Sequence, residues 1–331
     1  MPLASLASRA GALLLAAAGL IPLSGTAGAA AAAPGTFTAI VFPDQDHTVV
    51  YDLIGSAART VDVTMYELRD TTAVDALIAR QRAGVKVRVI LDGAHPSVNG
   101  SAYSALKAAG VGVTYSSTAF VYTHQKTVTV DGTTSLIMTG NLDSAYYAND
   151  RDYGVVDTDA NDVAAIERVF AADYARTAVT PTDGDNLVWS PTDAQSRLLA
   201  LINGARTSLD LEQLEFGDPA LVDAVAAAAS RGITVRVVGM NPTSYADEFD
   251  QVAAAGAKVV TYSSTTGPYV HAKAIVADYG TASAEVFAGS ENFSDNSLNH
   301  NRELGLITAD SGVLGTVEST FAGDFAHGAP Y

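Results

Sequence analysis

The chain of 331 residues contains no cysteine. Disulfides and thiolate metal sites are therefore excluded, and an oxidising compartment would do it no harm. Cations are also scarce: Lys and Arg together number 19 against 36 Asp and Glu, giving a formal charge of −17. A field of that sign repels DNA and RNA at long range, because phosphate-backbone affinity comes largely from Lys and Arg. Net charge alone leaves room for a local basic cleft, but it disfavours a nucleic-acid partner. Beyond the first 33 residues no stretch is long or apolar enough to span a bilayer, which takes about 20 residues.

Those first residues carry one charge, Arg9, then an apolar run from Gly11 to Leu23 and small residues around Ala27-Gly28-Ala29. That is the n-region, h-region and cleavage site of a secretory signal peptide. The run is short for a membrane anchor, and Pro22 and Ser24 interrupt its end. Residues 1–33 are thus expected to be cleaved, leaving a soluble, secreted protein with at most peripheral membrane contact.

What the sequence does contain is a duplication. "ARTVDVTMYELRDTTAVDALIARQRAGVKVRVILD" begins at Ala58 and "ARTSLDLEQLEFGDPALVDAVAAAASRGITVRVVG" at Ala205. Asp62, Asp75, Gly84 and Arg88 recur in register as Asp210, Asp223, Gly232 and Arg236, and Tyr115-Ser116-Ser117 returns as Tyr262-Ser263-Ser264. The period is far too long for a solenoid, so the reading is two fused repeats, 34–180 and 181–331, with the boundary near Thr177–Asn186. Val61–Tyr66 is a β-branched strand candidate, Ala73–Arg82 has helical spacing, and Val85–Leu91 is an apolar run suited to a sheet covered on both faces. Gly84 and Gly232 fall where a helix stops. Each repeat reads as alternating strands and helices followed by short strands, an α/β sandwich.

Two stretches stand out. "YTHQKTVTVDG" spans Tyr122–Gly132 and "YVHAKAIVADYG" spans Tyr269–Gly280, each with His, Lys and Asp at the same spacing, in a chain of 6 His and 5 Lys. On a strand from Tyr122 to Val130, His124 and Lys126 project on one face, as do His271 and Lys273 in the second copy. Asp131 and Asp278 have the opposite parity and sit at turns, where they are expected to anchor the hairpin. A lone histidine is usually an ordinary core or surface residue. Two in register within a repeat reverse that preference.

These residues resemble the phospholipase D superfamily, whose two His-x-Lys-x4-Asp motifs meet in one active site. The resemblance covers nearly the whole chain after residue 33 and implies a phospholipase D-like fold with two pseudo-symmetric halves and one site at their interface. Thr139-Gly140-Asn141 and Ser290-Glu291-Asn292 are similar to the family's Gly/Ser-x-Asn, Thr139 being a departure that keeps a hydroxyl. Asp152 in "NDRDYGVV" and Glu303 in "NHNRELGLI" match the acids that support the family's histidines.

The residue types suit that chemistry. A histidine nucleophile divides phosphodiester hydrolysis into two displacements, with one imidazole neutral to attack and the other protonated to release the alcohol. Carboxylates at Asp152 and Glu303 would fix the tautomers. Lys126, Lys273, Asn141 and Asn292 would hold the nonbridging oxygens, with Thr139 and Ser290 beside them. The scheme needs no metal and no cofactor. The resemblance implies His124 as nucleophile and His271 as general acid.

Other candidates carry less. "PDQDH" (Pro43–His47) has no His in its repeat partner "PTDAQ" (Pro191–Gln195), so an acidic N-cap followed by a surface His47 is the better reading. His95, His300 and His327 lack matched partners. The expected function is a secreted, monomeric phospholipase D acting on phospholipid at an interface, an amphiphile being consistent with Phe120, Tyr122, Tyr146, Tyr147, Tyr245 and Tyr269 near the motifs. The alternative is a metal-independent nuclease or general phosphodiesterase, which would want a basic groove. A transferase of the cardiolipin synthase type or a non-enzymatic binding protein fits less well.

Overall fold

The computed structural model describes residues 36–181, 184–263 and 267–331. The expected signal peptide and Ser264 lie outside them. The first repeat runs β1 (Phe37–Phe42), α1 (Thr48–Ser56), β2 (Thr60–Met65), α2 (Thr71–Arg82), β3 (Lys86–Leu91), α3 (Pro96–Ala108), β4 (Gly112–Tyr115), β5 (Lys126–Val130), β6 (Thr134–Met138), β7 (Asp150–Asp157) and α4 (Ala160–Ala175). The second runs β8 (Leu187–Ser190), α5 (Ala194–Gly204), β9 (Ser208–Gln213), α6 (Pro219–Ser230), β10 (Thr234–Met240), α7 (Ala246–Ala254), β11 (Lys258–Tyr262), β12 (Tyr269–Val270), β13 (Lys273–Ala277), β14 (Glu285–Gly289), α8 (Asp295–Asn299), β15 (Glu303–Thr308), α9 (Ser311–His327) and β16 (Ala329–Pro330).

Local signals set these boundaries. Asp70 caps α2 by accepting the backbone N–H of Thr72 at 2.8 Å, and its repeat partner Asp218 caps α6 through Leu221 at 2.9 Å. Both helices end before a glycine in the left-handed region, Gly84 at φ +88° and Gly232 at φ +85°, where a Cβ would be strained.

The two sheets repeat one strand order. The first is β1-β7-β6-β5-β2-β3-β4 and the second β8-β15-β14-β13-β9-β10-β11-β16. In each, the central strands are parallel and the motif strand joins them antiparallel, β5 on β2 and β13 on β9. The duplicated Arg–Asp pairs also recur: Arg88 Nε donates to buried Asp62 at 2.7 Å, and Arg236 Nε to Asp210 at 2.6 Å.

α1–α3 and α5–α7 cover the outer faces, each with its own apolar core. The inner faces share a third core, in which Phe37, Tyr153 and Val155 of the first repeat pack with Trp189, Val276 and Leu306 of the second, closed by residues of α4 and α9. Removing this much apolar surface from water is the main force joining the halves. Polar contacts cross the same boundary. Arg151 pairs with Asp324 of α9 at 2.6 Å, Arg302 pairs with Asp173 of α4 at 2.9 Å, and Tyr153 donates its hydroxyl to Glu212 at 2.6 Å.

One expectation fails instructively. The strand drawn from Tyr122 begins only at Lys126, because Tyr122–Gln125 leave their own sheet to bond the other repeat. Arg302 N donates to Tyr122 O and His124 N to Arg302 O, both at 2.9 Å. The second copy does the same: Tyr269 N donates to Asn149 O at 2.9 Å, His271 N to Arg151 O at 3.1 Å, and β12 pairs in parallel with β7.

Candidate active site

Because each motif's approach is bonded to the other repeat's acid-bearing strand, each histidine meets the acid of the opposite half. His124 Nδ1 lies 2.7 Å from Glu303 Oε2, and His271 Nδ1 lies 2.9 Å from Asp152 Oδ1. With Nδ1 facing a carboxylate, Nε2 is the nitrogen left for chemistry. Both rings line one cavity of about 650 Å³, together with Tyr66, Glu67, Asn141, Asp150 and Asp152.

The motif lysines are tied to the histidines and are not themselves part of the cavity lining. Lys126 and Lys273 are both fully buried, each ammonium donates to the carbonyl oxygen of its own motif histidine, and Lys273 also reaches Thr139 O at 3.2 Å. Lys126 further lies over the Tyr66 ring, 4.9 Å from its centroid. Neither ammonium has a salt bridge among the described residues. Burial, then the charge of Lys273, pushes the Lys126 amine well below its ordinary value, and burial lowers Lys273 as well. Two buried amines whose charged forms are disfavoured by burial and lack a salt-bridge partner would be stabilised in those forms by an anion.

Burial also depresses the histidines. It takes His124 down to about 4, helped by Lys126 and Lys273 and opposed by Glu303. His271 is lowered by burial and Lys273 and opposed by Asp152. For the acids burial acts upward, but the paired histidine and lysine overcome it and hold Asp152 and Glu303 below the usual carboxylate range.

The hydroxyls expected beside phosphate lie elsewhere. Thr139 donates to Asp152 Oδ1 at 2.6 Å, and Ser290, fully buried, accepts the Leu304 N–H at 3.2 Å. Thr139 braces Asp152, Ser290 holds the backbone next to Glu303, and neither lines the cavity. Asn141 does line it, and the side-chain oxygens of Asn141 and Asn292 have no hydrogen-bond partner. Asp131 accepts the N–H groups of Ala58, Arg59 and Thr60 at 2.6–2.9 Å, and Asp278 those of Arg206, Thr207 and Ser208 at 2.7–3.3 Å. Each ties the turn after its motif strand to the start of the neighbouring strand, away from the cavity.

His47 is a second correction. It is buried, not a surface residue, and stacks between Phe42 and Tyr147 at ring-centroid distances of 4.2 and 3.3 Å, lining the cavity. The expected acidic cap is also displaced: His47 itself is the N-cap and makes no side-chain cap bond, while Asp46, one residue earlier, accepts the Thr48 N–H at 2.9 Å. His300 and His327 are exposed and lie outside the cavity wall, while His95 stacks on Tyr122 at 5.2 Å. Of the aromatics near the motifs, Tyr146, Tyr147 and Tyr269 line the cavity and Phe120, Tyr122 and Tyr245 do not.

Sequence reasoning missed several supports. Ser297 and Asn301 donate to Glu303 Oε1 at 2.6 and 3.0 Å, and nothing in the motifs announces Ser297. Asp150 was legible, since it precedes Asp152 by two and shares its face of β7. Asp150, Asp152 and His271 bring three metal-ligand types of atom within 4.8 Å of one another, but Asp152 and His271 are already hydrogen-bonded together.

Residues 50–174 and 198–325, well over half of the chain, match the family described as "Cardiolipin synthase, PLD-like domain". The chain belongs to the phospholipase D-like family. Each match covers one repeat and includes its motif, so the duplicated architecture is the two-halved phospholipase D fold. Two curated mitochondrial cardiolipin hydrolases are similar, that of Xenopus tropicalis at 34% identity over 137 residues and that of Chlamydomonas reinhardtii at 28% over 122. These matches cover 39% and 36% of this chain, and 59% and 53% of the relatives' lengths. Among solved structures, phosphatidylserine synthase from Haemophilus influenzae aligns with a TM-score of 0.71 at 12% identity, over 89% of this chain and 87% of that one. Polyphosphate kinase from Porphyromonas gingivalis aligns with 0.68 at 15%, over 87% of this chain and 50% of that one. At those identities the likeness is one of fold.

Proposed function

We propose that this phospholipase D-like protein is a phosphodiesterase that cleaves the headgroup bond of glycerophospholipids, yielding phosphatidic acid and a free alcohol. One observation carries the reading: two histidine–carboxylate pairs, assembled crosswise, meet at one cavity, and each histidine's carbonyl oxygen accepts from a fully buried motif lysine. The lysines supply the charge that attracts the phosphodiester and steadies the charge of its nonbridging oxygens as the bond breaks. His124 Nε2 attacks phosphorus, the P–O bond to the headgroup breaks, and the His271 Nε2 proton passes to the leaving oxygen. Water then attacks the phosphohistidine, gives its proton to His271, and releases phosphatidic acid and neutral His124. A second alcohol in place of water would give transfer by the same route.

His124 is the better nucleophile because its imidazole is held neutral, with a proton affinity corresponding to about 4. Asp152, hydrogen-bonded to His271, favours its protonated form against burial and Lys273. The cavity wall carries Glu67, Asp143, Asp150 and Asp152, a poor surface for a polyanion. That is the argument against the nuclease reading. The site is complete within one chain, which supports action as a monomer, and the leader-like residues 1–33 support export.

The test is to assay purified protein on mixed phospholipid vesicles and on single-stranded DNA, both in EDTA. Headgroup release with intact DNA is expected. DNA cleavage without headgroup release would replace this reading with the nuclease.

A further inference from the structure

We infer that the leaving alcohol carries a protonated primary amine, received by Asp150 with Asp143 behind it and the rings of Tyr146 and Tyr269 beside it. The inference rests on the phosphodiesterase reading and names the substrate class of that site.

Position comes first. A carboxylate oxygen of Asp150, one of Asp152 and a ring nitrogen of His271 lie within 4.8 Å of one another. His271 is the group that protonates the departing oxygen, so Asp150 stands where the headgroup leaves. An amine two carbons from that oxygen lies roughly 3–4 Å from it, by ordinary bond lengths. A 2-amino alcohol therefore spans from the proton donor to the Asp150 carboxylate.

Next is what Asp150 lacks. Asp152 is hydrogen-bonded by His271 and by Thr139, whereas no hydrogen bond or salt bridge from the described residues reaches the Asp150 side chain. Burial, and then the charge of Asp152, push its carboxyl up to about 7, with Asp143 adding to the effect and Lys273 opposing it. A carboxylate short of positive charge is stabilised by a cation with N–H donors. Asp143 lines the same cavity; its Oδ2 takes no hydrogen bond and meets only the half-exposed Arg69, at 3.3 Å. Among the described residues no Lys or Arg side chain lines the wall; Lys126 donates to the His124 carbonyl, and Lys273 to those of His271 and Thr139, with the His271 ring nitrogens 3.3 and 3.4 Å away.

The asymmetry of the repeat points the same way. Asp150-Arg151-Asp152 corresponds to Asn301-Arg302-Glu303. The amide that replaces the acid is used inside the protein, donating to Glu303 at 3.0 Å. An acid of this kind therefore stands beside His271 and has no counterpart beside His124. Tyr269 is paired in register with Asp150 across β12 and β7, and Tyr146 is 51% exposed at the cavity. Aromatic faces add attraction for an ammonium group. Its three donors, which a trimethylammonium lacks, make the carboxylates rather than the rings the main contact.

The experiment compares dihexanoyl phosphatidylethanolamine, phosphatidylcholine and phosphatidylglycerol, dispersed as monomers, with bis(p-nitrophenyl) phosphate as a headgroup-free control. The wild-type protein should favour the ethanolamine lipid over the glycerol lipid by about tenfold or more in kcat/KM. Asp150→Asn, checked for an unchanged melting curve, should cut that ratio by about tenfold, and Asp143→Asn by less. Indifference to headgroup, a ratio unchanged in Asp150→Asn, or preference for choline over ethanolamine would overturn the inference while hydrolysis of the control keeps the phosphodiesterase reading intact. A preference lost in EDTA and restored by calcium would assign the acids to a metal and overturn it too. No turnover of any substrate, control included, would remove the underlying reading and this inference with it.

Discussion

Glu303 of the second repeat holds Nδ1 of His124 in the first, at 2.7 Å. The contact is 179 residues long in sequence, and Asp152 with His271 forms its mirror at a separation of 119. Neither repeat can present an oriented histidine by itself. The crossing follows from the backbone bonds that tie each motif's approach to the other half's acid-bearing strand.

The pairing predicts a spectroscopic signature. An imidazole N–H held by a buried carboxylate gives a strongly downfield proton resonance, and the one assigned to His124 should disappear in Glu303→Gln and persist in Asp152→Asn. Turnover should fall about 10²-fold or more in either variant, with KM changed far less, because the acids orient the base and proton donor and do not touch phosphate. Loss of the His124 signal in Asp152→Asn instead would refute the crossed arrangement.

The second prediction concerns pH. His124 must be neutral, and burial places its titration near 4; His271 must be protonated, and burial and Lys273 lower it from its ordinary 6.5. For an alkyl headgroup, kcat/KM should therefore decline on the acid side near pH 4 and on the alkaline side below pH 6.5. A nitrophenyl leaving group needs little protonation, so its alkaline decline should vanish. An alkaline decline of equal size on both substrates would contradict the assignment of His271.

Asp131 and Asp278 should matter to stability and not to chemistry. Burial acts to raise both carboxyls, but the backbone N–H groups they accept prevail and lower them. Depressed carboxyls contribute stability that is fully present above their ordinary 3.8 and is lost as pH falls through the folded value. Asp278→Ala should cost about 2 kcal/mol at neutral pH, and Asp131→Ala, at a more exposed turn, less. Thermal melts across pH 2–7 measure both; an unchanged melt with lost activity would place these acids in the reaction.

How far this was readable from sequence depends on the distance over which each feature is decided. The α/β layers were legible because they rest on local spacing, and the duplication and the motif pair because the same short patterns recur in register, which needs no knowledge of what packs where. Asp131 and Asp278 do lie at turns away from His124 and His271, as expected, although both histidines stand outside the motif strands whose alternation suggested it. Alternation within a strand cannot say which half lies opposite, so the exchange of Asp152 and Glu303 was invisible. His47 was misplaced for the same reason: its burial depends on Tyr147, a hundred residues on, and the repeat offered no second histidine for comparison. Thr139 and Ser290 occupy the motif positions expected of phosphate ligands, yet the donors and acceptors that engage them come from β7 and β15.

The central claim is that two copies of one motif serve opposite roles, His124 attacking and His271 protonating. Quenching the reaction with a labelled nitrophenyl phosphodiester under alkaline conditions, which preserve phosphohistidine, and mapping the labelled peptide by mass spectrometry tests it directly. The label should lie on the peptide carrying His124, survive in His271→Ala and be absent in His124→Ala. Label on the peptide carrying His271, or on neither peptide while product continues to form, would contradict the account.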